Sequence, residues 1–357
     1  MTPEVLVTGG AGYIGAHLVR QLQNDGYAVV VFDNLSTGSA AAVGGAKLVV
    51  GDMTDTPALK ALFGAHRFDA VFHLAARLVV PESVAYPLDY YANNTMGTLL
   101  LLQQCRDFGV RRFVFSSTAA VYGQPRENPV TEQTPTVPMN PYGRSKLMSE
   151  EMIRDFAGSA DLHYVVLRYF NVAGADPDGY AGQRFSGATS LIKIACDAAL
   201  GRRDHVTVYG SDYDTLDGTG VRDYVHVSDL AAAHGDALRY LEEGGESVIL
   251  NCGYGHGYSV REVLDAVQRI SRRTFRIVEQ PRRLGDPGSV IADSSALRAR
   301  LGWSPRFADL DAIIHTALAW DTALSAQSKT LENRLLTFQP PSDPLSRSGK
   351  TAAGYGL

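Results

Sequence analysis

Sulfur is scarce in this chain, with three cysteines among 357 residues. Cys105, Cys196 and Cys252 lie far apart and form no CxxC pair. That spacing excludes a disulfide framework and a zinc site, and it suits a reducing, cytoplasmic setting. Long hydrophobic runs are missing too. The apolar stretches are strand-length, and the N-terminus lacks the ordered charged, apolar and cleavage regions of a leader, so neither a membrane span nor a signal peptide is expected. Positive charge is not in excess: the formal net charge is -5 and there is no basic block. Nucleic acid is therefore not an expected partner. Internal repeats are absent. From Gln339 the chain reads "QPPSDPLSRSGKTAAGYGL", too poor in large apolar residues to order itself, and a mobile tail is expected there.

What the chain has is 45 % hydrophobic residues, enough for a large domain or two that share a core. Short apolar runs recur through the first half: "EVLVT", "AVVVF", "KLVVG", "DAVFHLA", "RRFVFSS" and "HYVVLRYF". They are continuous rather than alternating, as in strands buried on both faces. Amphipathic segments separate them, among them Pro87 to Phe108 and Tyr142 to Phe156. Strand and helix in alternation predict an α/β fold, a doubly wound parallel sheet of Rossmann type over residues 1–171, with about 222–240 returning to it. A smaller mixed α/β C-terminal domain is expected over 172–325, with helices at Asp229–Leu241, Ser259–Arg272 and Asp309–Leu324, followed by an extension over 326–357.

Gly9, Gly12 and Gly15 punctuate "GGAGYIG" between the first strand and the first helix. Glycine lets a ligand approach the main chain, and the helix start offers unpaired N–H groups to an anion such as a diphosphate. The second strand ends in Asp33, at the distance where a carboxylate accepts from ribose hydroxyls and repels an added phosphate, which favours NAD over NADP. After the third strand, Asp52 and Met53 are placed to meet an adenine.

In "NPYGRSKLMSEE", Tyr142 and Lys146 are four residues apart and share a helix face. A neighbouring ammonium and the positive charge of an oxidised nicotinamide both favour phenolate, so Tyr142 is expected to have a lowered pKa and to serve as a base. Thr118 in "FSSTAAVYG" stands at a strand's carboxyl end, where its hydroxyl can share a substrate proton.

Together with "FDNLSTG", "PESVAYPLDYYANNTMGTL", "LRYFNVAGADPDG", "YDTLDGTGVRDYVHVSDLA" and "PRRLGDP", these motifs resemble the extended short-chain dehydrogenase/reductase family, and within it the sugar-nucleotide epimerases. The resemblance covers roughly Val5 to Trp303. It implies tightly held NAD, a catalytic group of Tyr142, Lys146 and Thr118, and inversion at C4 of a UDP-hexose, UDP-glucose to UDP-galactose and back, through a 4-keto sugar. Carried over, the cofactor contacts fall on Gly9, Gly12, Tyr13, Ile14, Gly15, Asp33, Asn34, Leu35, Ser36, Gly38, Asp52, Met53, Leu74, Ala75, Ala76, Asn93, Ser116, Tyr142, Lys146 and Phe170. The UDP-sugar contacts fall on Thr118, Tyr142, Asn171, Ser190, Leu191, Thr207, Tyr209, Arg222, Arg283, Asp286 and Val290. No metal is implied. The family also implies a homodimer through a four-helix interface built from Pro87–Phe108 and Tyr142–Phe156.

The chain departs from the family pattern at a few positions. Leu78 stands where many members carry a lysine near the cofactor phosphates, with Arg77 beside it; Ser190 and Lys193 replace the usual Asn and Pro; Arg184 adds a cation near the sugar side. Val290 replaces a bulkier residue and leaves room for an N-acetyl group. UDP-N-acetylhexosamines therefore join the expected substrates, and a UDP-uronate or UDP-pentose epimerase is the alternative. A dehydratase of the same fold needs acids where Ala119 and Ala120 stand; a one-way reductase would have to release its cofactor.

Overall fold

Each apolar run of the first half becomes a strand: β1 (Glu4–Thr8), β2 (Ala28–Asp33), β3 (Lys47–Val50), β4 (Ala70–His73), β5 (Arg112–Thr118) and β6 (His163–Tyr169). The later strands are β7 (Asn171–Ala173), β8 (His205–Tyr209), β9 (Val221–His226), β10 (Val248–Cys252), β11 (Gly257–Ser259), β12 (Arg276–Gln280) and β13 (Ser289–Val290). Between them run α1 (Tyr13–Asn24), α2 (Thr56–Ala65), α3 (Val80–Ala85), α4 (Pro87–Tyr90), α5 (Gly97–Phe108), α6 (Pro141–Ser159), α7 (Leu191–Ala199), α8 (Val227–Glu242), α9 (Val260–Ser271), α10 (Ser295–Leu301) and α11 (Leu310–Thr337). This computed structural model describes residues 2–185 and 187–337, so the tail expected from Gln339 lies outside the described residues. Among the described residues, those up to Asp321 form one compact unit and those from Thr322 belong to another.

Seven strands pair in the order β10-β6-β5-β4-β1-β2-β3, and every pairing is parallel. The chain runs outward one way through β1, β2 and β3, then returns to pair β4 on the other side of β1. That reversal leaves a crevice at the carboxyl ends of β1 and β4, where ligands bind in such sheets. One core lies on each face: Val5, Val7, Leu18, Val31 and Leu238 on one, Leu6, Phe32, Leu101, Phe113 and Val166 on the other. β3 departs from the expectation of strands buried on both faces. It is the sheet's edge, and Val50 is 61 % exposed.

Helix starts follow local chemistry. Asn140 caps α6 by accepting from the Gly143 N–H at 2.9 Å, with Pro141 preorganising the first turn. Ser259 and Glu262 form a reciprocal capping box at α9. The expected single helix from Pro87 to Phe108 is helical throughout but contains a π segment, Tyr91–Met96, between α4 and α5.

The second half of the chain both completes and extends the large sheet. β10 adds its outer strand beside β6, and α8 packs on α1 in the first core through Leu230, Ala233 and Leu241. Two smaller sheets stand apart from it: β11-β9-β13 with β7 also on β9, and the pair β12-β8. Asp229, fully buried at the start of α8, accepts from the Tyr254 hydroxyl at 2.6 Å and from the Arg306 and Phe307 N–H groups at 2.9 and 2.8 Å. Asp229→Ala leaves those donors unpaired and is expected to cost about 3 kcal/mol, read as a lower urea midpoint at unchanged slope.

Candidate active site

The glycine turn is shaped by what its residues lack. A Cβ on Gly15 would stand 2.2 Å from the Gly9 carbonyl oxygen, and one on Gly9 would stand 2.6 Å from the Ala75 nitrogen, so both are needed simply to bring β1, α1 and the loop after β4 together. Gly9 also has φ of +72°, a conformation suited to glycine. Gly12 differs: its Cβ would meet only the Gly9 carbonyl, at 3.2 Å. As the N-cap of α1 it offers no side-chain hydrogen bond to the first turn. The free N–H groups and bare backbone there make a cradle of the kind that holds a diphosphate.

Asp33 closes this turn from the end of β2. Its Oδ2 accepts from the Ala11 N–H at 3.0 Å and its Oδ1 from the Leu35 N–H at 2.8 Å, which fixes the carboxylate and leaves a lone pair on each oxygen. Leu35 takes φ of 58°, and the Ser36 N–H donates to Asn34 Oδ1 at 3.0 Å. Gly38 is packed on Ala11. Asp52 accepts from Asn34 Nδ2 at 2.8 Å and from Thr54, and these bonds hold its carboxyl below the usual range. Met53 is buried in the second core.

On the other side of the crevice, Leu74, Ala75 and Ala76 form the loop after β4, with the Ala75 N–H 3.3 Å from Thr8 Oγ1. Ile14 packs on the first core. Asn93 lies in the π segment and donates to Asn94 Oδ1 at 2.9 Å. Asn94, which sequence reading missed, is buried; it brackets the Arg77 backbone with bonds of 2.8 and 3.0 Å and donates to Ser145 Oγ on α6 at 3.0 Å. A π turn inside a helix is itself a frequent sign of a functional position, but it cannot be seen in the sequence. Tyr13 donates its hydroxyl to the Gly174 carbonyl at 2.6 Å.

Thr118 ends β5, and Tyr142 and Lys146 rise from the first turns of α6 beside it. Thr118 is 8 % and Lys146 3 % exposed. Contrary to the sequence expectation, the pKa of the Tyr142 phenol is raised. Burial dominates, and the Thr118 hydroxyl, as hydrogen-bond partner, opposes it. Lys146 is pulled down to about 7 by burial, with Glu150 opposing, and its Nζ stands 4.2 Å from the centre of the Phe115 ring. The expected lowering comes from charge, that of Lys146 and of an oxidised nicotinamide; desolvation, which acts on both side chains here, works against it. Ser116 is fully buried, its hydroxyl 2.7 Å from His234 Nε2. Phe170, 6 % exposed, packs with Val290, Tyr122 and Val121.

The expected sugar-nucleotide residues come from several elements. Asn171 opens β7 beside Tyr224 of β9. Ser190 precedes α7 and donates to Gln183 Oε1 at 3.1 Å, while Leu191 is the helix's first residue. Thr207 and Tyr209 lie on β8, and the Arg283 guanidinium stacks 3.6 Å over the Tyr209 ring. Arg222 donates to the backbone carbonyls of Val221 at 2.9 Å, Pro287 at 2.7 Å and Gly288 at 3.3 Å, so it also ties down the loop that carries Asp286. Of the departures, Arg77 pairs with Glu82 at 3.0 Å while Leu78 is exposed. Lys193 pairs with Asp197 and Asp321 at 2.7 and 2.9 Å, and Arg184 lies 4.9 Å from the Trp320 ring centre. Among the described residues no group of acids, histidines and cysteines could hold a metal, and no helix is long and apolar enough to cross a membrane.

Residues 5–253 match the NAD dependent epimerase/dehydratase family. The chain is 51 % identical over 324 residues to the UDP-glucose 4-epimerase of Azospirillum brasilense, covering 90 % of this chain and 93 % of that one. The crystal structure of UDP-glucose 4-epimerase from Brucella ovis in complex with NAD is similar at a TM-score of 0.86 and 44 % identity, over 89 % of this chain and 98 % of that chain. That from Bifidobacterium longum in complex with NAD+ and UDP is similar at 0.86 and 39 %, over 90 % and 98 %. The glycine cradle and the Asp33 carboxylate fit the nucleotide those structures carry. Two alanine substitutions separate folding from binding. Gly15→Ala is expected to lower the melting temperature sharply, whereas Gly12→Ala is expected to melt near wild type and lose most of its NAD on gel filtration.

Proposed function

The chain belongs to the NAD dependent epimerase/dehydratase family, and from that we infer that it inverts C4 of a UDP-hexose, interconverting UDP-glucose and UDP-galactose with NAD as a resident cofactor. One observation carries the chemistry: a half-buried phenol bonded to a strand-end hydroxyl, with a buried amine one helical turn on, stands at the carboxyl end of β5. When bound, NAD supplies the acceptor and later the donor for the C4 hydride.

The chain's own residues do the rest. Gly12 and the first turn of α1, set in place by the close packing at Gly9 and Gly15, hold the diphosphate of the nucleotide; Asp33 takes ribose hydroxyls and disfavours a 2′-phosphate. Tyr142 accepts the O4 proton as the alcohol becomes a ketone and returns it as the ketone is reduced. Thr118 orients that proton by its hydrogen bond to Tyr142. Burial opposes the phenolate, and a charged Lys146, four residues along the same helix face, favours it. Arg283, with the loop that Arg222 fixes, grips the UDP diphosphate while the 4-keto sugar turns over. Guanidinium forks suit that task because they bind paired oxygens strongly.

The substrate range extends to UDP-N-acetylhexosamines, supported by the small Val290 side chain beside Phe170. A homodimer is supported by the apolar surface of the helices expected to form it: Leu88, Met96, Leu99 and Phe108 on α4–α5, and Met148 on α6, are all at least 37 % exposed. A cytoplasmic location is supported by the free thiols of Cys105, Cys196 and Cys252. The proposed division is a nucleotide domain, 1–171 with about 222–240 returning to it, and a sugar-nucleotide domain, 172–325, although β10 of the large sheet also comes from the second range.

Incubating the protein with UDP-galactose, UDP-glucose and their N-acetylamino counterparts and resolving the products tests the reading; no C4 inversion on any of them refutes it. Tyr142→Phe is expected to keep NAD and bind UDP-sugar but lose about 10²–10⁴-fold in kcat. Val290→Tyr is expected to lower kcat/KM for UDP-GalNAc far more than for UDP-galactose, and equal losses would remove Val290 from the sugar pocket.

A further inference from the structure

Behind Thr118, Tyr142 and Lys146 lies a buried ion pair with no part in the chemistry above. Glu150, 3 % exposed, is one turn beyond Lys146 on α6, and Arg168, 5 % exposed, faces it from β6. Arg168 Nε donates to both carboxylate oxygens at 3.1 Å and Nη2 to Oε2 at 2.6 Å. Ser117, next to Thr118 on β5, donates its hydroxyl to Oε1. The far side of Arg168 is held too: Nη1 donates to the Tyr122 hydroxyl at 3.1 Å, which donates to Asn251 Oδ1 at 2.7 Å. A buried ion pair is a poor source of stability compared with apolar residues of the same volume. Its value here lies in its position.

We propose that Glu150 is a positioning residue for the reaction, its carboxylate locked by Arg168 and Ser117 one helical turn from Lys146, whose positive charge it sustains. The inference rests on the function proposed above and deepens it. Lys146 and Glu150 share a helix face at i and i+4, and Lys146 lies against an aromatic face rather than water. Burial draws its pKa to about 7, and the charge that opposes the fall is Glu150. The groups around it are accounted for. His73 on β4 is held neutral, its pKa lowered to about 3 by burial and by Lys146 itself. Tyr90 on α4 donates to Glu82 of α3, whose other oxygen pairs with Arg77. Tyr169 on β6 is half-buried, its pKa raised by loss of solvent, and Tyr122 of the turn after β5 is bonded to Arg168. Glu150 is thus the anion placed to serve Lys146. Taking its charge away lowers the proton affinity of Lys146, so the lysine neutralises at lower pH and withdraws its support from the Tyr142 phenolate.

The test is a titration of the NAD-loaded protein labelled with ε-¹³C lysine, in which the Lys146 signal is identified by its loss in Lys146→Met. In Glu150→Gln the midpoint is expected to fall by about one pH unit or more, the alkaline limb of the kcat profile to move with it, and KM to change little. Glu150→Asp, which keeps the charge, is expected to return both toward wild type. An unchanged midpoint, or a kcat profile that only loses height, would overturn the proposal and leave Glu150 as packing. If Glu150→Gln does not fold with Arg168 unpaired, Glu150→Gln/Arg168→Met is compared with Arg168→Met, so that the loss of the arginine charge cancels and the midpoint difference reads Glu150 alone. The NMR readout needs no substrate, so a failure of the sugar-nucleotide reading is seen separately, in the wild-type product assay.

Discussion

Everything in the crevice depends on how closely three pieces of backbone pass one another where the chain leaves β1. The Gly15 backbone sits against the Gly9 carbonyl, and Gly9 sits against the Ala75 peptide. No side chain fits in either gap. This contact sets the angle at which α1 leaves the sheet, so its N–H groups point into the space that opens between β1 and β4. It also fixes how near the loop after β4 comes to that space, and the π segment and α6 are bonded to that loop in turn through Asn94. The positions of Tyr142 and Lys146 therefore trace back, through Ser145 and Asn94, to a steric limit at the first turn of the protein.

The parts of this arrangement legible in the sequence are those with a local cause. Continuous apolar runs gave the large sheet because burial on both faces leaves no position for a polar residue. The glycine spacing and Asp33 pointed to the nucleotide because their chemistry is confined to one strand–turn–helix unit. Tyr142 and Lys146 could be paired because helical periodicity places them together. What escaped has a cause distant in sequence. β3 is half exposed because nothing pairs its outer edge, which only strand order decides. The raised pKa of Tyr142 reflects the packing of α4, β5 and β6 around it rather than any neighbour along the chain.

The run "GTGVRDYVHVSD" illustrates a further limit. It is a distinctive stretch of the chain, and the family resemblance gives a ligand role to Arg222 within it. In the structure its two buried carboxylates face inward. Asp223 accepts from the backbone N–H groups of Tyr254, Gly255 and Ala292, and Asp229 gathers Tyr254, Arg306 and Phe307. These acids fasten loops to the strand and helix that carry them, and Arg222, just before them, fastens the loop at Pro287 and Gly288. A motif can be specific to a function because it builds the walls of the site rather than because it touches the ligand.

The outer strand of the large sheet arrives late. β10 spans Val248–Cys252 and pairs along the whole of Val165–Tyr169, so a ribosome must finish some eighty residues of the second half before the first half is closed. Until then β6 presents unpaired peptide groups along a run in which Val165, Val166 and Leu167 are entirely apolar, the kind of margin that recruits other strands. A gene cut at the nominal boundary after Asn171 would expose that margin permanently. The nucleotide half of this protein is thus poorly suited to being borrowed as a module, and its nascent form has reason to be chaperoned.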